Sequence, residues 1–304
     1  MKQYAFKPIT PKARKFAKEN NLDIARINGT GEYGAIRLSD IRRSNAQKSS
    51  PVARRAAAFY GIEVNAIPLS CVRKSDVLRA AEDKKAGAEK SRKGLNAAIA
   101  AAISNCASFT LFSELDATAF MESYRQIKAW AAEAYNVRVT VSDMYAYLVS
   151  RILFSHPKLS AGHHGKAVSI AFAADMPGGP IAPVLQNASE STIVQLARER
   201  VRLLEKYRSK TLTNDDLAGA SFTLSNLGSK PVTFFTPILN YPQIAILGIG
   251  RTEEKPIARS GKILVREMAH FSLTMDHYRV DGMDGADFFS SLQAGLGYSS
   301  GFYR

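Results

Sequence analysis

A pattern that occurs twice near the N-terminus sets the tightest limit on how this chain can fold. Pro11-Lys-Ala-Arg14-Lys15-Phe-Ala17 returns as Pro51-Val-Ala-Arg54-Arg55-Ala-Ala57, each with proline where the first turn of a helix tolerates it. Leu22-Asp-Ile24 then parallels Ile62-Glu-Val64, and Arg37-Leu-Ser39-Asp40-Ile41 parallels Arg73-Lys-Ser75-Asp76-Val77. Ser39 and Ser75 suit an N-cap or a first helical turn. Between its helices the first copy carries Gly29-Thr-Gly31-Glu-Tyr-Gly34, whose glycines permit tight backbone geometry. The second copy lacks this loop and is shorter by four residues. Each copy reads as two short helices, so the one large core that 304 residues at 46% hydrophobic content can form must come from the remaining two thirds of the chain.

Charge divides the chain at the same place. Residues 1–93 hold 21 Lys and Arg against 9 Asp and Glu, whereas residues 94–304 hold 20 against 18, so +12 of the net +14 lies in the first third. A surface that tracks nucleic-acid phosphates interleaves aromatics or presents a recognition helix, and neither pattern is present, which leaves an acidic protein as the expected partner. No apolar run approaches the roughly 20 residues needed to cross a bilayer, so no membrane partner is expected. The start, Met1-Lys-Gln-Tyr-Ala-Phe, has no apolar signal core, which predicts a cytoplasmic or otherwise intracellular location. Cys71 and Cys106 lack metal-ligand spacing and read as reduced thiols.

Residues 44–50 and 82–94 are polar, charged and without apolar periodicity, and read as linkers. Past them the Ala-rich run 95–107 favours helix, and Ser108–Asp116 alternates as a strand. Helices are expected near 117–135, 141–155 and 192–208, and strands near 167–174 and 219–225. Alternating elements without a glycine-rich nucleotide loop predict a two-layer α/β sandwich.

The stretch most suited to chemistry is His277-Tyr278-Arg279-Val280-Asp281-Gly282. It leaves an apolar run of strand period, Phe271–Asp276, and leads into Met283, Ala286, Phe289 and Leu292 at helical spacing. A histidine held between a buried strand and a packed helix can move a proton near neutral pH. His163 and His164 lie in a hairpin-like turn with no further ligands, and no metal is expected.

His277-x-x-x-Asp281-Gly282, with Ala286 and Phe288 behind it, resembles the active-site signature of the dihydrolipoyl acyltransferases, core subunits of 2-oxo acid dehydrogenase complexes. Phe222-Thr-Leu-Ser225-Asn226-Leu-Gly228, Phe235–Asn240 and Gln243–Gly250 keep the family's order, and the resemblance covers approximately residues 94–304. It implies an α/β two-layer sandwich with a mixed sheet, chloramphenicol acetyltransferase-like, preceded by small all-α subunit-binding modules. It further implies transfer of an acyl group, expected to be acetyl, between dihydrolipoamide and coenzyme A. His277 would act as general base and Ser225 would stabilise the oxyanion, the two coming from adjacent subunits of a homotrimer within a larger core. Asp281 would orient the histidine loop or form a structural ion pair. Gly179 and Pro183, with Asn226 and Gly228, fall in segments that line the family's coenzyme A and substrate channel. The Ala-rich run 95–103 departs from the family by lacking its arginine and methionine.

The repeated pattern resembles the peripheral subunit-binding domain of the same acyltransferases. That implies a domain at 9–43, linker 44–50, a second and degenerate copy at 51–81, linker 82–94 and a catalytic domain at 95–304. Arg14, Lys15, Lys18 and Arg37 in the first copy, and Arg54 and Arg55 in the second, would grip an acidic partner: dihydrolipoyl dehydrogenase, the 2-oxo acid decarboxylase component, or both. Ala35 departs from the family where arginine is common, and Ala58 takes the place of a basic residue in the second copy. No segment before Pro11 is long enough for a lipoyl domain, so the lipoyl group is expected in trans, on another chain. The competing expectation is a scaffold that recruits those enzymes without catalysis. Acetyl transfer to a small hydroxylated acceptor, as in the chloramphenicol branch, fits the N-terminal modules poorly.

Overall fold

The computed structural model describes residues 8–19, 29–45, 48–64, 67, 71–160, 167–176 and 179–303, and the chain forms two compact units, Met1–Glu89 and Lys90–Arg304. His163 and His164 lie outside the described residues.

In the first unit, α1 (Pro11–Glu19) and α2 (Leu38–Asn45) close on a core of Ala13, Ala17, Ile36 and Ile41. Small alanines let the elements approach closely, and a parallel bridge between Ile9 and Ile36 ties the segments ahead of the two helices. The buried Asp40 carboxylate accepts from the backbone N–H of Arg37 and of Thr30, both at 2.9 Å, and from the Thr30 hydroxyl at 2.7 Å. The bond from Arg37 fixes the start of α2, and those from Thr30 hold the preceding loop to it. β1 (Lys48–Ser49) runs parallel to β2 (Cys71–Val72) and precedes α3 (Pro51–Tyr60). Ser50 caps α3 by accepting from Ala53 N–H at 3.0 Å, and Gly61, left-handed at φ 58°, ends it. A second small core gathers Ala53, Ala57, Ile67, Val72 and Val77. Ser39 and Ser75 sit within first helical turns, while Asp40 and Asp76 do the capping.

α4 (Lys74–Asn105) departs from expectation. Residues 82–94 are helical, not an unstructured tether, because their Ala, Lys and Glu content favours helix even without an apolar stripe to pack.

The second unit is built on a mixed sheet. β3 (Ser108–Asp116), β4 (Ile170–Met176), β5 (Gly179–Ile181), β6 (Val184–Leu185), β7 (Phe222–Asn226), β8 (Ala245–Arg259) and β9 (Lys262–Asp276) lie in the order β3-β9-β8-β7-β4-β5, with β6 beside β4. The β8–β7 and β7–β4 pairs are parallel and the others antiparallel. β8 and β9 form a long hairpin turned by Ser260 (φ 50°) and Gly261 (φ 76°), the double positive-φ pair of a type I′ loop.

Against this sheet pack α5 (Thr118–Tyr135), α6 (Val141–Phe154), α7 (Ile193–Arg208) and α8 (Gly282–Leu296). Thr140 with Asp143, and Thr192 with Gln195, form capping boxes that fix the starts of α6 and α7. The shared core takes every second strand residue, including Phe222 and Leu224 of β7, Leu247 and Ile249 of β8 and Phe271, Leu273 and Met275 of β9. Full burial of each such large side chain contributes on the order of 1.5–3 kcal/mol. The alternate set, Thr223, Gly248, His270, Ser272 and Thr274, faces the other way beneath residues 232–243, where the Phe235 N–H donates to Ser272 Oγ and Gln243 Oε1 accepts from the Thr223 hydroxyl. The two-layer mixed α/β architecture is the one expected.

Candidate active site

His277 is placed by its neighbours' backbones. β9 ends at Asp276, the His277 N–H donates to Ala107 C=O at 3.0 Å, and the Asp276 carboxylate accepts from Ala107 N–H at 3.0 Å and Tyr278 N–H at 3.2 Å. Asp276 is buried, and both N–H groups share its Oδ1, partners that a buried carboxylate requires. The Arg279 guanidinium approaches it at 3.7 Å, and Val280, buried behind the turn, anchors the start of α8. The imidazole then packs on Phe109, ring centroids 4.6 Å apart and tilted by 38°. One face is covered, yet the side chain remains 57% exposed.

Asp281 lies 3.7 Å from His277 Nδ1, beyond hydrogen-bond length, and its own side chain is 79% exposed. It occupies the N-cap of α8, where its backbone N–H donates to the Asp284 carboxylate at 3.1 Å. Lys158, 2.9 Å away, draws the Asp284 carboxyl below its ordinary range. Gly282 has open space around it and no positive φ, so the turn itself does not demand glycine there.

Ser225 occupies the face of β7 opposite the helices, in register with Ala173 on one side and Gly248 on the other. Asn226 holds the strand end. Its side chain donates to Ser142 Oγ on α6 at 3.1 Å and accepts from Gly228 N–H at 2.8 Å. At Gly228 a Cβ would stand 2.7 Å from Gly250 C=O, so a side chain is excluded. Asn226 and Gly228 thus have intrachain work in shaping the turn beyond Ser225. Gly179 adopts φ 113° in the β4–β5 hairpin, and Pro183 is buried with its carbonyl accepting from Phe172 N–H at 3.0 Å.

Ser225 and His277 do not meet within one chain. Register pairs Ser225 with Gly248 and Gly248 with Ser272, two strands across and five residues short of His277. At ~3.3 Å per residue and ~4.8 Å per strand the separation is roughly 19 Å.

The Cys106 thiol, beside this turn, is pushed up by burial and by the Asp276 carboxylate, with Arg279 opposing. It is held protonated and is a poor nucleophile. Among the described residues no cluster of histidine, cysteine and carboxylates could hold a metal, and no helix is long and apolar enough to cross a membrane.

In the first unit Arg14, Lys15 and Arg37 are exposed, with Arg37 reaching over the loop at Gly31. Arg54 and Arg55 are exposed on α3, and the side chain of Lys18 lies outside the described residues. Sequence reasoning missed Asp276 and Phe109. A carboxylate closing an apolar strand run was the available signal for the first; the second depends on pairing between β3 and β9, which local pattern does not carry.

Residues 80–298 match the model of the 2-oxoacid dehydrogenases acyltransferase catalytic domain, and residues 7–42 match that of the e3 binding domain. The dihydrolipoyllysine-residue acetyltransferase component of the pyruvate dehydrogenase complex of Staphylococcus epidermidis is 30% identical over 90% of this chain and 65% of its own length. The chain therefore spans just under two thirds of that relative. Among solved structures, the dihydrolipoamide acetyltransferase of Azotobacter vinelandii, studied for the catalytic roles of a serine, a histidine and an asparagine, superposes with TM-score 0.62. It is 32% identical, over 67% of this chain and 87% of that one. The cubic core of a pyruvate dehydrogenase multienzyme complex superposes with TM-score 0.63 at 31% identity, over 68% and 88%.

Proposed function

Since the chain belongs to the 2-oxoacid dehydrogenase acyltransferase family, we propose that it transfers an acetyl group between dihydrolipoamide and coenzyme A, at a site shared by two copies of the chain. The observation that carries this reading is the isolation of each group: a half-exposed imidazole just past the end of β9 and a serine on β7, two strands across and roughly 19 Å away. A second copy that brings its Ser225 opposite His277 would complete the constellation and exclude water together. The family resemblance implies a homotrimer, a ring in which a head-to-tail contact of this kind repeats and closes.

Spacing supports the same residues. The serine and histidine investigated in the Azotobacter vinelandii enzyme stand 52 residues apart, with the asparagine four beyond. Ser225 and His277 are also 52 apart, and Asp281 comes four later, a carboxylate at the spacing of that amide. Both can cap a helix, which suits the position of Asp281 at the start of α8.

The chemistry follows from these groups. His277 takes the proton of the coenzyme A thiol, and the thiolate sulfur bonds to the thioester carbonyl of acetyl-dihydrolipoamide. The oxyanion that forms accepts a hydrogen bond from Ser225 of the neighbouring copy, a contact worth ~3 kcal/mol in comparable sites. Collapse breaks the original carbon–sulfur bond, and the leaving sulfur recovers the proton from the imidazolium. Asn226, Gly228, Gly179 and Pro183 serve this site by shaping the strand ends near it. Residues 9–43, through Arg14, Lys15, Lys18 and Arg37, would dock an acidic face of dihydrolipoyl dehydrogenase.

Complementation tests the proposal. His277→Ala and Ser225→Ala should each reduce turnover of acetyl-coenzyme A with free dihydrolipoamide by ~10²-fold or more. When the two inactive variants are dissociated and reassembled together, about a quarter of interfaces in a randomly mixed ring regain both groups, and activity should return to that level. Loss in both variants without recovery on mixing would mean that the site is not shared.

A further inference from the structure

We infer that residues 48–81, outside the matched e3 binding segment at 7–42, are a second docking module, and that its partner is the peripheral enzyme that generates the acyl group. The inference rests on the acyltransferase reading for its choice of partner, but its structural argument stands on the internal repeat.

The repeat is carried by three-dimensional contacts. Ile9 bridges Ile36 in parallel in the first copy; Ser49 pairs with Val72 in parallel in the second. Thr10 N–H donates to Ile36 C=O, as Ser50 N–H does to Val72 C=O. The cores correspond residue by residue: Ala13 with Ala53, Ala17 with Ala57, Ile36 with Val72 and Ile41 with Val77. Each second helix is capped by an aspartate that accepts from the N–H three residues back, Arg37 to Asp40 and Arg73 to Asp76, at 2.9 and 2.8 Å. The internal scaffold is retained while the surface has diverged, which is the outcome expected of a module kept folded for a different partner.

The divergence has a direction. Lys12, Lys18, Glu19 and Asn20 of the first copy become Val52, Ala58, Phe59 and Tyr60. Val52, Phe59 and Tyr60 are exposed, Phe59 at 82%, and the two rings meet edge to face at 5.0 Å. Arg54 and Arg55 remain exposed on the same helix, and residues 48–81 carry six Lys and Arg against two Asp and Glu. A spacer gains nothing from displaying phenylalanine to water, whereas aromatic anchors ringed by arginine are the composition of interface hot spots. The matching surface is an apolar socket rimmed by carboxylates. A transferase whose first module holds one peripheral enzyme still needs the one that loads acetyl onto the lipoyl thiol, and a tethered partner raises its local concentration without new chemistry.

Titration calorimetry on the full chain, with the purified acyl-generating 2-oxo acid decarboxylase component and purified dihydrolipoyl dehydrogenase as separate probes, decides the matter. Phe59→Ser, and separately the pair Arg54→Glu and Arg55→Glu, should weaken binding of the decarboxylase component at least tenfold and leave that of dihydrolipoyl dehydrogenase within twofold. Arg14→Glu with Lys15→Glu should do the reverse. These side chains are exposed, and unchanged circular dichroism verifies that the module remains folded. Equal loss of both probes in every variant, or unchanged affinity for the decarboxylase component in the module-two variants, overturns the inference. Failure of the acyltransferase reading would appear elsewhere, in wild-type turnover with free dihydrolipoamide, which needs neither peripheral enzyme.

Discussion

The position of His277, the proposed base, depends on a residue to which the proposed chemistry assigns no proton. Asp276 is buried, and its carboxylate accepts from two backbone N–H groups, those of Ala107 and Tyr278. Asp276→Ala should therefore cost about 1–3 kcal/mol of stability in urea unfolding, the penalty of leaving buried donors unmade, and should lower turnover by freeing the histidine turn. Asp276→Asn keeps a side-chain oxygen and should recover most of the stability; equal losses in the two variants would show that the hydrogen bonds contribute little. Glycines of the same region split in an informative way. At Gly250 an added Cβ would lie 1.9 Å from Thr233 C=O, so Gly250→Ala must displace backbone and should lower the melting temperature sharply, with ~3 kcal/mol or more of destabilisation. Gly282→Ala meets open space at the first position of α8 and should leave stability unchanged or raise it by a few tenths of a kcal/mol. Residue type alone does not rank Gly282 and Gly250. Nothing in the run Gly248-Ile-Gly250 announces that Thr233 passes over it, because that crossing is set by a loop distant in sequence.

Among the elements, α7 shows how a helix is tied to the sheet layer by charge as well as by its apolar face. Lys206 Nζ donates to both oxygens of Asp216 at 2.9 Å, and Thr213 adds its N–H and hydroxyl at 2.8 Å each. Lys206 first, then the Thr213 backbone, holds the Asp216 carboxyl far below its ordinary value. A carboxylate depressed in the folded state contributes stability that is present above its unfolded pKa of ~3.9 and is lost as pH falls from there toward the folded value. Asp216→Asn should thus destabilise the chain by about 1–3 kcal/mol at pH 7, and the gap to wild type should narrow as pH drops below ~4. A gap that stays constant across that range would remove the ionised pair as its cause. The helix α7 was legible in sequence near 192–208, as was the alternation that ends at Asp276. The β8–β9 hairpin was only half legible. Ser260-Gly261 is a turn signal, but Arg259 and Lys262 around it are polar, and the exposed Ile263 and Val265 keep no clean inward alternation. The helical run through 82–94 was hidden for the opposite reason: propensity operates there without an apolar stripe to reveal a period.

At the scale of the molecule, the unequal charge of the two parts of the sequence corresponds to the division into two compact units, and the basic part contains the paired modules. The change of charge could be read from residues because composition is local, whereas the linker expected at 82–94 lies within α4. The reach of the site was not legible. His277 and Ser225, the proposed pair, both lie in motifs visible in the sequence, yet the ~19 Å between them comes from strand order and register, which no local pattern encodes. This distance turns an enzymatic statement into one about assembly. If each active centre needs two copies, activity is subject to mass action. Specific activity with free dihydrolipoamide should then be constant at high protein concentration and fall on dilution toward the dissociation constant of the assembly, while the circular dichroism signal per residue stays the same. The loss should track the fraction of single chains measured by sedimentation at the same dilutions. Activity per chain that persists after the assembly has come apart would mean that one protomer holds a complete site, and that the separation of serine from histidine in the folded chain is not a catalytic constraint.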